Sequence, residues 1–429
     1  MIRFMHAADL HLDRPFEGLK ALPEPLKERI KNSIFEALDT IVKTACDERV
    51  DFFILAGDLF DGNHRSIRAQ KQLIAAMEQL CRSGIPAYVV SGNHDYPGDA
   101  WAKLTFPDNV YVFPEQPATF YLRTHAGERV ALHGFSYPRR HITEDMAALY
   151  PTVGQVDYQI GILHGALRSS SAENNYAPFT LNDLAEKPYD YWALGHIHKQ
   201  MQISEHPQAW YSGSVQGLSI KETGQKGALF VQLDQHGADV QLRPAAPIIW
   251  ESCDKNFEQP LRLDQLDEEI TAIKSHVRRQ EGGLLLKINL SMASGGWSAE
   301  AWEAEAERLI DATNEEEADR DDFVWLICGE LTVRPSWSRT DILSSPHFIG
   351  DLFRAIDSAQ DCLEALEPLY SHRLGRRYLA MPEEDALNRI RCKAEQLLAD
   401  ALLSASDQGT DYLARPAEWL NHKEAPHAD

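Results

Sequence analysis

Residues 51–58, DFFILAGD, form a short apolar run that ends in a glycine and an aspartate. A long amphipathic segment lies on either side of this run, at residues 26–49 and 66–84, and both have the periodicity of a helix. Two further apolar runs lie beyond these segments, IRFMHAA at residues 2–8 and PAYVVSG at residues 86–92. The order of strand, helix, strand, helix and strand predicts a parallel sheet with helices packed on it.

The rest of the chain divides at a proline-containing stretch, residues 244–250, where the pattern of apolar runs changes. We therefore predict three domains: a mixed α/β domain at residues 1–245, a small α/β domain at residues 246–335 and a helical segment at residues 336–429. An acidic stretch at residues 314–322 is expected to be a solvated turn.

Composition limits the class of protein. The chain has 429 residues, 44% hydrophobic and 25% charged, which is typical of globular proteins. It has no run of about 18 apolar residues and no pattern of a secretory signal, and its six cysteines form no CxxC pair. We therefore expect a cytoplasmic protein without a membrane span. The net charge of −23 argues against non-specific nucleic-acid binding by the whole surface, but metal ions can supply positive charge locally.

Five of the apolar runs are followed directly by side chains that can bind metal ions. These are Asp9, His11, Asp58, Asn93, His164, His196 and His198. Because ligands bind outside the carboxyl ends of strands in α/β sheets, we expect these side chains to converge at one edge. Imidazole and carboxylate ligands without thiolate suit manganese, iron or zinc. Seven ligands exceed the need of one ion, so the pattern favours two ions that activate a water molecule.

Each of these motifs alone is as easily explained by a turn, a helix cap, a core histidine or a surface histidine. Together they occur in order, each just after a predicted strand, with helix-sized gaps between the first three. The blocks D-x-H, G-D, G-N-H-D, H and G-H-x-H resemble the calcineurin-like metallophosphoesterase superfamily over residues 1–245. HAADLHLD, ILAGDLFD, YVVSGNHD, YWALGHIHK and YSGSVQGLSIKETGQKGALFVQLD are most similar to SbcD-type DNA-repair exonucleases, and HAADLHLDRPFEGL to their bacterial YhaO subgroup.

The resemblance implies a fold class and a role for each site residue. The fold is α/β, with mixed β-sheets flanked by helices, followed by a small α/β capping domain and a C-terminal helical segment. Two divalent metal ions, Mn²⁺ in this family, would be bound: Asp9, His11 and His198 would hold the first, Asn93, His164 and His196 the second, and Asp58 would bridge them. His94 would face the scissile phosphate, and Asp95 would orient its ring. Asp61 stands where archaeal and eukaryotic relatives carry histidine, so its role is left open.

The function implied is that of a metal-dependent DNA nuclease, exonuclease or endonuclease, in DNA repair. Its implied partners are DNA, an SMC-like ATPase of the SbcC type that docks on the final helices, and a second copy of the chain. One alternative is a phosphatase or phosphodiesterase acting on small nucleotides or phosphoproteins, although the additional domains argue against a small substrate. Another is a non-catalytic scaffold for the ATPase, against which the complete set of ligands speaks.

Overall fold

The computed structural model describes residues 1–19, 22–62, 66–96, 105–168, 176–293, 299–334, 337–358, 362–373 and 384–406. The chain divides into two compact units, the first comprising residues 1–253, 268–289 and 308–329, and the second residues 254–267, 290–307 and 330–429. The predicted domain boundaries after residues 245 and 335 stay predictions.

The strands in the described residues are β1 (Ile2–Ala7), β2 (Phe52–Ala56), β3 (Ala87–Val90), β4 (Val110–Val112), β5 (Ala118–Arg123), β6 (Arg129–Gly134), β7 (Tyr158–His164), β8 (Tyr191–Gly195), β9 (Met201–Glu205), β10 (Gln208–Tyr211), β11 (Gly227–Asp234), β12 (Gly237–Pro244), β13 (Ile248–Phe257), β14 (Gly283–Ala293) and β15 (Val324–Arg334).

The helices are α1 (Glu24–Asp47), α2 (Ile67–Arg82), α3 (Leu181–Ala185), α4 (Leu263–Val277), α5 (Ala299–Glu315), α6 (Arg339–Ser344), α7 (Phe348–Ser358), α8 (Cys362–Ser371) and α9 (Glu384–Ser406), with a 3-10 turn at Ala147–Leu149. Within the described part of the chain, no helix combines the length and the apolar character that crossing a membrane requires.

The first six-stranded sheet has the order β12-β11-β1-β2-β3-β4. Strands β1 to β4 run parallel, β11 pairs antiparallel with β1, and β12 pairs antiparallel with β11. Helices α1 and α2 cover one face, because their apolar residues, such as Leu38, Ile41 and Leu73, recur at helical spacing and pack in one cluster with Phe53 and Leu55. The predicted parallel sheet with helices on it is confirmed.

The second six-stranded sheet has the order β5-β6-β7-β8-β10-β9. Its strands β6, β7, β8 and β10 are parallel neighbours, so their carboxyl ends lie on one side. Apolar residues of both sheets share a buried cluster in which Phe4, Phe52 and Ile54 accompany Ile160 and Ile162. The two sheets therefore pack face to face. The single sheet edge expected from the sequence is replaced by the adjoining ends of two sheets.

A third sheet has the order β13-β14-β15. The acidic stretch at residues 314–322 begins in the last turn of α5 and belongs to the first unit. Asn314 is buried, and its side-chain amide exchanges two 2.8 Å hydrogen bonds with the backbone of Leu326. Glu317 is also buried and accepts hydrogen bonds from Arg278 at 2.7 and 2.9 Å. The expectation of a solvated turn is therefore wrong for Asn314 and Glu317.

Candidate metal centre

The candidate centre lies where five strands end. Three of these strands, β1, β2 and β3, belong to the first sheet, and two, β7 and β8, belong to the second. The backbone is unusual here, because Asp9, His11, Asp58 and His196 have φ values of +51°, +42°, +53° and +99°. Side chains other than glycine rarely adopt such values, and residues that do so cluster at functional sites.

Glycines let the chain approach the cluster closely. Gly57 has φ +94°, and a Cβ atom at this position would lie 2.4 Å from Nδ1 of His164. A Cβ on Gly92 would lie 2.2 Å from Oδ1 of Asp58. Any larger residue at these two positions would displace a side chain of the cluster.

The potential ligand atoms form two groups. Within the group of Asp9, His11 and His198, and within the group of Asp58, His164 and His196, one ligand atom per residue lies within 4.8 Å of the others. Each group takes side chains from both sheets. The seven residues predicted as ligands, with Asn93 beside the second group, are thus brought together, and their role as ligands stays a prediction.

Asp58 and Asn93 occupy central positions. Oδ2 of Asp58 lies 3.3 Å from Nε2 of His164 and 3.7 Å from Nε2 of His11, so that it reaches both groups. Oδ1 of Asn93 lies 3.0 Å from Nε2 of His164 and 3.1 Å from Nδ1 of His196. These contacts suit an oxygen shared by two ions for Asp58 and a ligand of the second group for Asn93.

Hydrogen bonds fix the tautomer of two histidines. Nδ1 of His164 donates to the backbone carbonyl of Ala56 at 2.9 Å, and Nδ1 of His198 donates to Oε1 of Glu222 at 3.0 Å. Because both acceptors lack a proton to give, a ring proton sits on Nδ1, and Nε2 is the nitrogen that faces the cluster. Nε2 of His198 indeed lies 3.1 Å from Nε2 of His11.

The charge of the cluster fits divalent cations. Asp9 and Asp58 are each 1% exposed, and neither is ion-paired with a lysine or arginine among the described residues. Both oxygens of Asp9 accept the backbone N–H of His196, at 3.1 Å. Buried carboxylates are costly unless positive charge lies beside them, and two divalent cations would provide such charge here. Imidazole, carboxylate and amide oxygen suit manganese, iron or zinc.

Burial and mutual contact shift the pKa values of these groups. Burial raises the pKa of Asp9 to about 6, against the opposing effect of the His198 imidazole. Burial lowers the pKa of His11 and His196 to about 3, so both rings are neutral at pH 7 and have a lone pair to offer. Burial also disfavours a charge on His164, but Asp58 outweighs it and raises the pKa of His164 to about 9. In the metal-free protein at pH 7, a proton therefore occupies the position on the His164 ring at which a cation can bind.

His94 is held by a residue other than the expected one. Its ring is 26% exposed beside His11, and its Nδ1 donates to Oδ1 of Asp61 at 3.0 Å. Asp95 instead accepts hydrogen bonds from the backbone N–H groups of Leu59 and Gly92. The expectation that Asp95 orients the ring is therefore corrected: Asp95 stabilises the turn with both oxygens, and Asp61 orients His94.

Three further residues support the centre without having been predicted. Glu222 accepts from His198 and, at 2.7 Å, from the hydroxyl of Ser214. The ammonium group of Lys226 donates to the backbone carbonyl of His198 at 3.0 Å. All three lie in the stretch YSGSVQGLSIKETGQKG, whose E-x-G-x-K-G pattern was visible in the sequence but carried no role there.

Comparisons with known proteins agree with this geometry. Residues 2–200 match the family model described as calcineurin-like phosphoesterase. The chain is 35% identical over 403 residues to the uncharacterized metallophosphoesterase YhaO of Bacillus subtilis, with 92% of this chain and 97% of that protein covered. It is 25% identical to one component of the nuclease SbcCD of Bacillus subtilis, covering 61% of this chain and 71% of that protein. It is 24% identical to the DNA double-strand break repair protein Mre11 of Methanopyrus kandleri, covering 55% of each chain.

Proposed function

The chain belongs to the calcineurin-like phosphoesterase family, and from this premise we propose that it is a two-metal nuclease that hydrolyses DNA phosphodiester bonds in DNA repair. The enzyme class follows from the family. The DNA substrate is supported by the similarity to the SbcCD nuclease component and to Mre11, which extends over more than half of the chain. The observation that carries the proposal is the pair of adjoining ligand groups, with Oδ2 of Asp58 3.3 Å from His164 in its own group and 3.7 Å from His11 in the other.

The ligand residues divide into two sets. Asp9, His11 and His198 would hold one divalent cation, and Asn93, His164 and His196 the other, with Asp58 between them. Manganese is the proposed metal. Divalent cations held by these residues would polarise a phosphoryl group and would make a bound water molecule more acidic.

His94 and Asp61 would handle the proton of the leaving oxygen. The Nδ1 proton of His94 is engaged by Asp61, so Nε2 is the ring atom left for the substrate. The Asp61 carboxylate also places a negative charge beside the ring of His94, which stabilises the ring in its protonated form. The backbone N–H of His94 donates to Asp58 at 2.9 Å, which ties the position of this ring to the metal groups.

Cleavage of two substrates tests the proposal directly. We expect the metal-free full-length protein, reloaded with Mn²⁺, to cleave a labelled DNA duplex, and the His94→Ala variant to be slower by a factor of about 10² or more. Cleavage of bis-p-nitrophenyl phosphate with none of DNA, even beside a partner ATPase, would identify a small-substrate phosphodiesterase. Equal loss of DNA with both proteins would point to contamination or an inactive centre.

Because the chain is acidic overall, we propose that a partner protein makes most of the contacts with the DNA backbone. We propose an SMC-like ATPase of the SbcC type as this partner, docked on the helical segment at residues 336–429, where Phe348 of α7 is 62% exposed. The Phe348→Glu variant of the full-length chain should no longer co-elute with the ATPase in size exclusion. The Ile67→Glu variant, which changes a 72% exposed residue on α2, is the matched control. Co-elution of both variants would refute this docking site.

A homodimer and a cytoplasmic location remain predictions.

A further inference from the structure

The two ligand groups differ in what supports their histidines. His164, in the second group, donates from Nδ1 to the neutral backbone carbonyl of Ala56. His198, in the first group, donates from Nδ1 to the carboxylate of Glu222. A carboxylate behind an imidazole raises the basicity of the ring and adds negative charge to the position, whereas a peptide carbonyl adds none.

Glu222 is itself firmly placed. Its side chain is 13% exposed, and its second oxygen accepts the hydroxyl of Ser214 at 2.7 Å. The backbone N–H of Ser214 donates to the carbonyl of His198 at 3.2 Å, and Lys226 donates to the same carbonyl. The backbone and the ring of His198 are therefore held by one network of three side chains.

Close packing fixes the path of the chain around this network. Gly213 has φ +73°, and a Cβ at this position would lie 2.9 Å from the carbonyl oxygen of His198. The backbone N–H of Glu222 donates to the carbonyl of Ser219 at 2.9 Å, which closes the turn that presents the carboxylate. These contacts leave His198 little freedom to rotate, and Nε2 points towards His11.

We propose that Glu222 is a positioning residue that strengthens cation binding at the Asp9, His11 and His198 group alone. It holds His198 with Nδ1 protonated and Nε2 facing the group, and it places a carboxylate behind this ring where His164 has a neutral peptide carbonyl. The two cation positions are consequently unequal, and the one supported by Glu222 binds its ion more tightly. This inference rests on the proposed two-metal function.

Titration of Mn²⁺ into metal-free, full-length protein by calorimetry tests the inference without any activity measurement. The His196→Ala background leaves the supported group, and the His198→Ala background leaves the other. We expect Glu222→Gln to weaken Mn²⁺ binding about 10- to 100-fold in the His196→Ala background. The same substitution should have no effect in the His198→Ala background, because Glu222 acts through His198. Glu222→Ala, which also removes the hydrogen bond, should weaken binding further.

The matched control is Glu205→Gln, which removes the same charge from an exposed position on β9. Melting of the metal-free proteins identifies a variant that fails to fold, since a purely structural role would lower the melting temperature and weaken both groups alike. Equal affinity of the His196→Ala protein with and without Glu222→Gln would overturn the inference. Fewer than two Mn²⁺ ions bound by the unsubstituted protein would instead overturn the proposed two-metal function.

Discussion

Oδ1 of Asp61 lies 3.0 Å from Nδ1 of His94, and this contact joins a partly exposed ring of the centre to a nearly buried carboxylate. The sequence left the role of Asp61 open, and this contact is the reason for proposing that it positions His94. Among the described residues, Asp61 is the side chain that hydrogen-bonds the ring of His94, while His11 contacts the same ring edge-on.

Asp61→Asn should slow diester hydrolysis by roughly 10-fold or more while leaving Mn²⁺ affinity unchanged. The amide can still contact the ring, but it provides no negative charge opposite a protonated imidazole. Steady-state rates with a model diester, alongside calorimetric Mn²⁺ titration, measure the two effects separately. Asp108→Asn, at an exposed position, is the control. An unchanged rate would remove Asp61 from the mechanism.

His196→Ala and His198→Ala should each remove one ion, but from different groups. His196 lies with Asp58 and His164, whereas His198 lies with Asp9 and His11. We expect each variant to bind one Mn²⁺ ion fewer by metal analysis and to lose about 100-fold or more in hydrolysis, because both cations stabilise the displacement. His236→Ala, an exposed histidine, serves as control. Loss of both ions, or of neither, in these variants would contradict the assignment to two groups.

Gly57→Ala should disrupt the centre more than Gly84→Ala, although both glycines have positive φ values of +94° and +71°. Each substitution carries a backbone cost of about 1 kcal/mol. A Cβ on Gly84 meets open space, but one on Gly57 collides with His164. Thermal melting and Mn²⁺ titration of the two variants separate the common strain from the local collision. Equal metal affinity in both variants would show that His164 can move aside.

Glu317 should make the stability of the protein depend on acidic pH. Burial disfavours its charge, but Arg278, the backbone N–H of Val324 and Lys274 outweigh burial and lower the pKa of Glu317 to about 2. A depressed carboxyl pKa stabilises the folded state above the ordinary pKa of about 4.3, and this contribution is lost as the pH falls towards 2.

Glu317→Gln should therefore lower the free energy of unfolding by on the order of 2 kcal/mol at pH 7, and by less at pH 3. Urea unfolding at pH 7, 5 and 3 measures this difference. The neighbouring Glu316→Gln, an exposed position, is the matched control. A difference between Glu317→Gln and the unsubstituted protein that stays constant from pH 7 to 3 would contradict the assignment.

The sequence predicted the fold class and the residues of the centre because both depend on short-range patterns. Strands that end in Gly-Asp or Gly-His can be recognised without knowing how they pair. The assignment of these strands to two sheets could not be recognised, since apolar runs do not specify their partners. Glu222 lies 24 residues from His198, so only the folded chain joins them. Asn314 and Glu317 look like an acidic surface turn until their buried partners are known.

Both ion groups combine residues from the two packed sheets, Asp9, His11 and Asp58 from one and His164, His196 and His198 from the other. Cations that bind only the folded chain add their binding free energy to its stability, about 2.7 kcal/mol at a concentration of 100 times Kd. Bound cations would therefore link the two sheets. A chelator that removes them would abolish hydrolysis and would also lower the free energy of unfolding of the protein.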